Sequence, residues 1–132
     1  MIKLYTDAAT KGNPGPSAAG ILIINQQKQF QFQINLPVLS NHAAEFLAVQ
    51  RGLEQIKALK LSANMLQINV DSQIVYQSLE KNYAKHYQAY VDQINALLTS
   101  FELVLYQWIP EKQNQGAHHL AQQALKKQLT KK

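Results

Sequence analysis

The sequence predicts an α/β fold: a five-stranded mixed sheet, made of an antiparallel meander of three strands plus two further strands, with helices on both faces. Three observations predict it. The apolar patterns arrive in the order βββαβα(α)βα, strands first and then strands alternating with helices. Two short apolar runs, Met1 to Tyr5 and Met65 to Val70, are each followed by an aspartate, Asp7 and Asp71, where the pattern breaks. Between them, Gln29 to Leu36 alternates glutamine with Phe30, Phe32 and Ile34, the period of a strand near a sheet edge with one wet face.

The first run is interrupted only by Lys3 and reads as a buried strand, with Asp7 where it ends and a glycine and proline turn, Lys11 to Pro16, beyond. Burying a carboxylate costs several kcal/mol unless it is paired or meets a metal. Asp7 therefore reads either as part of a cation site or as a strand-terminal residue capping its own turn. Ala18 to Asn25 is a second strand, joined through Asn25-Gln26-Gln27-Lys28 to the alternating third.

Ser40-Asn41 opens a long helix, with Ser40 as N-cap and Ala44, Leu47, Ala48, Leu53 and Ile56 as its apolar stripe. Glu45 falls in its first turns, where the helix dipole alone favours a carboxylate. Met65 to Val70 is the next strand and a helix follows from Ser72 to Leu79, so Asp71 at the junction also reads as an N-cap. Two strands thus deliver an aspartate to the sheet edge where α/β folds place ligands. Glu80 to Tyr87 is a polar and aromatic connection, and Gln88 to Ser100 is a helix carrying Tyr90, Val91, Ile94, Leu97 and Leu98. Phe101 to Ile109 is the last strand, stopped by Pro110. The final helix, from Asn114, buries Ala117, Leu120, Ala121, Ala124 and Leu125 and ends in lysines.

With 132 residues the chain is expected to form one domain, 1–132, burying about two thirds of its unfolded surface. It contains no cysteine, which removes disulfides, thiolate metal sites and cysteine nucleophiles. No run is long and apolar enough for a membrane span and no leader pattern is present, so a cytoplasmic protein without membrane contact is expected. The formal charge is +5. Lys126, Lys127, Lys131 and Lys132 crowd the C-terminus, and Lys81, Lys85 and His86 are interleaved with Tyr83 and Tyr87. Such groups serve phosphate backbones and stacking, and they equally form ordinary solvated faces.

Four pieces taken in order resemble the type 1 ribonuclease H family over nearly the whole chain. They are Thr6-Asp7 with Lys11-Gly12-Asn13-Pro14-Gly15-Pro16, Ser40-Asn41-His42-Ala43-Ala44-Glu45, Val70-Asp71-Ser72-Gln73, and Trp108-Ile109-Pro110 leading to Asn114-Gln115-Gly116-Ala117-His118-His119. The resemblance implies a ribonuclease H-like fold and hydrolysis of the RNA strand of RNA/DNA hybrids, leaving 5′-phosphate and 3′-hydroxyl ends. It implies two Mg²⁺ (or Mn²⁺) ions, with Asp7 bridging both and with Glu45 and Asp71 holding the ion on the leaving-group side. Asn13, Asn41 and His42 would face the hybrid minor groove, where 2′-hydroxyls mark the RNA strand. Ser40 matches a residue that contacts a DNA-strand phosphate, a role that competes with its N-cap.

Three departures qualify the resemblance. The family usually places an aspartate where this chain has His118, so a carboxylate on the nucleophile side of the metal pair is replaced by imidazole. Imidazole is a poor Mg²⁺ ligand and a better one for Mn²⁺ or Zn²⁺, which predicts attenuated activity or a Mn²⁺ preference, with His118 as ligand or water-orienting group. His118 also reads as a surface helix residue at a degenerated position, and its neighbour His119 as a bystander. Ala8 stands where the family has glycine, and its methyl would crowd an approaching backbone. The Glu80 to Tyr87 connection is too short for the basic protrusion of some bacterial members. The alternative function is a weakened or inactive ribonuclease H-like module that binds nucleic acid or a protein partner. Nuclease or transposase chemistry on DNA is a third reading, disfavoured by the lack of an appended DNA-recognition segment.

Overall fold

In the computed structural model, which describes residues 1–130, the strand β1 (Ile2–Thr10) is the hinge of the sheet. On one side it pairs antiparallel with β2 (Gly15–Asn25), which pairs antiparallel with the edge strand β3 (Lys28–Leu39). On the other it pairs in parallel with β4 (Met65–Val70), which pairs in parallel with β5 (Leu103–Trp108). The order β3-β2-β1-β4-β5 is the five-stranded mixed sheet expected, with its meander on one side. Lys131 and Lys132 of the basic tail lie outside the described residues.

The expected end of β1 needs correction. The strand does not stop before Asp7 but runs on to Thr10, held by β2 from Lys3↔Ile24 to Thr10↔Ser17. What ends is the pairing with β4, whose last partners are Tyr5 and Asn69. The residues Asp7, Ala8 and Ala9 are poor β formers, and pairing with β2 overrides that preference. Asp7 therefore sits in mid-strand, at the point where its parallel neighbour parts from it.

Alternation assigns the two faces. Ile2 and Leu4 join Ile21, Ile23, Leu66 and Ile68 in the main core beneath helix α1 (Asn41–Ala58), which contributes Phe46, Val49, Leu53 and Ile56. Gly52 lets α1 come close, because a Cβ there would lie 2.9 Å from Leu4 Cδ1 and 3.2 Å from Thr6 Cγ2. Helices α2 (Gln73–Lys81) and α3 (Gln88–Leu98) complete this layer, with Val75, Val91 and Ile94 buried in the same core. On the opposite face, Ala9 and Ala18 meet Ala121, Ala124 and Leu125 of α4 (Gln115–Thr130). Leu120, expected in that stripe, is half-buried. No helix among the described residues is long and apolar enough to cross a membrane.

Candidate functional site

Three carboxylates meet where β4 leaves β1. One ligand oxygen from each of Asp7, Glu45 and Asp71 lies within 4.8 Å of the others. Asp7 comes from the continuing strand and is buried, Asp71 follows the last residue of β4, and Glu45 descends from α1. The two bland readings of Glu45 and Asp71 fail locally. Glu45 is the fifth residue of α1, beyond a first turn that contains no acidic residue. The N-cap of α2 is Ser72, whose Oγ accepts from Val75 N–H, so Asp71 caps nothing.

The backbone fixes the trio. The Ala8 N–H donates to Glu45 Oε1 at 2.8 Å and to Asp7 Oδ1 at 2.9 Å. Asn114, almost fully buried, uses Nδ2 twice, donating to Thr6 O at 2.9 Å and to Asp71 Oδ2 at 3.1 Å. Its amide thus takes a β1 carbonyl that β4 has stopped pairing and ties Asp71 to the same gap. Trp108 Nε1 donates to the Asp71 carbonyl at 3.0 Å and braces the end of β4 against β5.

Electrostatically the trio is uncompensated. Burial raises the pKa of Asp7, although hydrogen bonds from His118 and Ala8 oppose the rise. Glu45 is pushed well above the usual carboxylate range by burial and then by the charges of Asp7 and Asp71. Asp71 is raised by burial and by Asp7, against the opposing hydrogen bond from Asn114. Among the described residues no Lys or Arg lies in ion-pair range of the three. A set of hard oxygen donors, close together and with raised pKa values for want of positive charge, fits a hard divalent cation.

Helix α4 brings the fourth position. Gly20 lies opposite Asp7 in the β1–β2 ladder, and a Cβ on it would fall 2.0 Å from the Ala117 carbonyl oxygen. Its missing side chain lets α4 settle onto the sheet beside Asp7, and His118 then hydrogen-bonds through Nδ1 to Asp7 Oδ2 at 2.9 Å. His118 is thus tied to the acidic trio by contact, while its neighbour His119 has no such contact to Asp7, Glu45 or Asp71 among the described residues.

The remaining expected residues gather at the adjoining rim. Asn13, Asn41 and His42 are all exposed, and Asn13 Oδ1 accepts from the Asn41 N–H at 2.9 Å, tying the β1–β2 turn to the start of α1. Ser40 Oγ accepts from Ala43 N–H, so the N-cap role is occupied. His42 meets Tyr87 edge-on, and Tyr87 stacks on Phe46. Ala8 is packed against the cluster of Ala19, Leu36, Ala44 and Leu47, which gives the extra methyl a place inside the fold. Sequence reasoning missed Gly20, Asn114 as the clamp on Asp71, and Glu111, whose Oε1 lies 3.3 Å from His118 Nδ1.

The sequence profile of the family described as reverse transcriptase-like matches residues 5–124. The Enterococcus faecalis protein EbsB, provisionally named a hydrolase, is 43% identical over 129 residues that cover 96% of each chain. A ribonuclease H of Trichodesmium erythraeum is 32% identical over 88 residues, 67% of this chain, and the match spans 54% of that enzyme. Among solved structures, LC11-RNase H1 in complex with an RNA/DNA hybrid superposes with a TM-score of 0.88 over 98% of this chain and all of its own, at 22% identity, a likeness of fold. The chain belongs to the ribonuclease H family, in the group described as reverse transcriptase-like.

Proposed function

We propose that this protein is a metal-dependent endonuclease that hydrolyses the RNA strand of RNA/DNA hybrids, leaving 5′-phosphate and 3′-hydroxyl ends. The observation that carries this reading is the convergence of Asp7, Glu45 and Asp71, within 4.8 Å of one another, at the point where the sheet opens. Family membership supports it, as does the shared fold of an RNase H1 bound to a hybrid. Two divalent ions held at the carboxylate trio would supply an activated water, charge relief at phosphorus and a stabilised leaving oxygen.

The chain's own groups have distinct tasks in this reading. Asp7 would serve both ions, and Glu45 and Asp71 would hold the one on the leaving-group side. Ala8 N–H and Asn114 Nδ2 keep those carboxylates aimed without neutralising them. His118, against Asp7, would serve the nucleophile side, as a nitrogen ligand through Nε2 or as the group that orients the attacking water. A nitrogen in place of a carboxylate oxygen shifts preference from Mg²⁺ toward Mn²⁺. Exposed Asn13, Asn41 and His42 offer amide and imidazole groups to a minor groove, and the Ser40 hydroxyl can still donate its hydrogen to a phosphate while capping α1.

The test is cleavage of an end-labelled RNA/DNA hybrid by pure protein with Mg²⁺ and with Mn²⁺, beside Asp7→Asn. Cleavage confined to the RNA strand, stronger with Mn²⁺ and lost in the variant, is expected. No cleavage with either ion at high enzyme concentration overturns the reading. One observation favours a second function, a module that binds without cutting: His118 already engages one carboxylate oxygen of Asp7. Hybrid binding without cleavage would select it.

A further inference from the structure

We propose that Glu111 supplies the fourth carboxylate of the metal site, delivered from the turn ahead of α4 instead of from α4 itself, with His118 as the residue that positions it. The inference rests on the metal-dependent reading above and extends it to a residue that no sequence motif marks. Replacing the family's fourth aspartate by His118 lowers the carboxylate count at the site from four to three. Glu111 restores it.

The placement of Glu111 is specific. Pro110 ends the run from β5, and Glu111 opens a short 3₁₀ turn, Glu111–Gln113. Its carbonyl accepts from the Asn114 N–H at 2.8 Å and from Gln115 Nε2 at 3.1 Å, so its backbone is anchored to the start of α4. The side chain then turns to the site, with Oε1 3.3 Å from the His118 Nδ1 that also lies 2.9 Å from Asp7 Oδ2. One imidazole nitrogen thus spans the buried acid and the rim acid. With both carboxylates ionised, Nδ1 must carry the hydrogen, so it orients oxygens and does not itself bind a metal.

The His118 N–H draws Glu111 inward, but the three other carboxylates repel it. Its charge reaches Asp71 and helps to raise that group's pKa. The arrangement becomes favourable once a cation lies among the oxygens. A second observation marks the same junction. Asn114, whose Nδ2 grips Asp71, leaves Oδ1 buried with no hydrogen-bond partner among the described residues, the kind of acceptor that a hydrated cation would satisfy. Glu111 is exposed, so its charge incurs no burial cost in the free protein.

The experiment is Mn²⁺ binding to the whole protein at neutral pH, followed by calorimetry and by the electron paramagnetic resonance signal of free Mn²⁺. It compares the wild type with Asp7→Asn, Glu111→Gln, His118→Asp and the double variant Glu111→Gln/His118→Asp. Glu111→Gln is expected to weaken Mn²⁺ binding ~10-fold or more, within the range found when groups around a metal are removed. In the His118→Asp background the same change is expected to cost less than ~3-fold, because the aspartate introduced on α4 would supply the oxygen and the two effects would not add. Unchanged affinity in Glu111→Gln, with binding abolished in Asp7→Asn, overturns the role of Glu111 and leaves the metal site standing. A wild type that binds no Mn²⁺ overturns both.

Discussion

The two sides of the candidate site are built by different means. On the sheet side, Asp7, Glu45 and Asp71 are set by topology: one strand continues, its parallel neighbour stops, and a helix drops an acid into the gap. On the helix side, His118, Asn114 and Glu111 arrive because α4 comes close at Gly20 and because a turn precedes it. The sheet side keeps the family's residue types and is electrostatically strained. The helix side has His118 where the resemblance implies an aspartate, and its His118 and Asn114 are held by hydrogen bonds to Asp7 and Asp71. The difference teaches that topology fixes where charge must gather, while the packing of one helix decides how that charge is balanced.

The largest effect should come from breaking the sheet side. Asp7→Asn removes the central charge but keeps the shape and the hydrogen bond from Ala8 N–H. Hybrid cleavage is expected to fall by ~10³-fold or more, since in the proposed reading Asp7 would serve both ions and no neighbouring group could replace it. Folding, followed by thermal denaturation without metal, should be preserved. Residual cleavage within ~10-fold of wild type would show that the sheet side is not the centre of the chemistry.

Next comes the approach that creates the helix side. Gly20→Ala puts a methyl 2.0 Å from the Ala117 carbonyl oxygen and 2.5 Å from the Ala121 nitrogen, both backbone atoms that cannot swing aside. The helix must lift, at a cost of ~3 kcal/mol or more, which lowers Tm by the order of 10 °C in a domain of this size. Lifting α4 also separates His118 from Asp7. Assayed well below its Tm, the variant is expected to lose activity while still binding one divalent ion through the sheet side. An unchanged Tm would mean that α4 does not rest on Gly20.

How much of this was legible in the sequence follows the same division. The mixed sheet, its meander and the three acids could be read, because apolar runs and a few fixed residue types mark them. The extent of β1 could not, since Asp7-Ala8-Ala9-Thr10 has no strand pattern of its own and is held by β2. Nor could the local tasks of Asp71 and Glu45, which resemble helix-terminal charges until Ser72 is seen to cap α2. Gly20, Asn114 and Glu111 act through residues 97, 43 and 7 positions away, on Ala117, Asp71 and His118, and no local pattern encodes such contacts. The one trace is Asn114 itself, which belongs to the last motif although its sequence neighbours give it no task.

A smaller effect is expected at the departure itself. His118→Asp returns a hard oxygen beside Asp7 and should raise Mg²⁺-supported cleavage ~10-fold while narrowing any advantage of Mn²⁺. The ratio of rates with the two ions is the informative measure, because a general change in stability would move both. No gain with Mg²⁺ would mean that the helix side is already complete with His118 in place.

The smallest effect tests the claim of strain on the sheet side and needs no substrate. In the metal-free protein Asp7, Glu45 and Asp71 all have raised pKa values, Glu45 most clearly, so the folded state holds protons that the unfolded chain has released. The sign follows from linkage. Stability from these groups is fully present below the ordinary carboxylate range, about pH 4, and is lost as pH rises through their raised folded values. Above those values all three are ionised and repel. Glu45→Gln removes the group whose charge is least tolerated while still offering an oxygen to Ala8 N–H. The variant should therefore show a shallower fall of Tm with rising pH and a Tm a few degrees higher at pH 8 than the metal-free wild type, a gain of about 1 kcal/mol. Adding Mn²⁺ should reverse the order, raising the Tm of the wild type by mass action far more than that of Glu45→Gln. If the two proteins share one pH profile without metal, the carboxylates are not strained in the folded state, and the contrast between the two sides of the site loses its electrostatic basis.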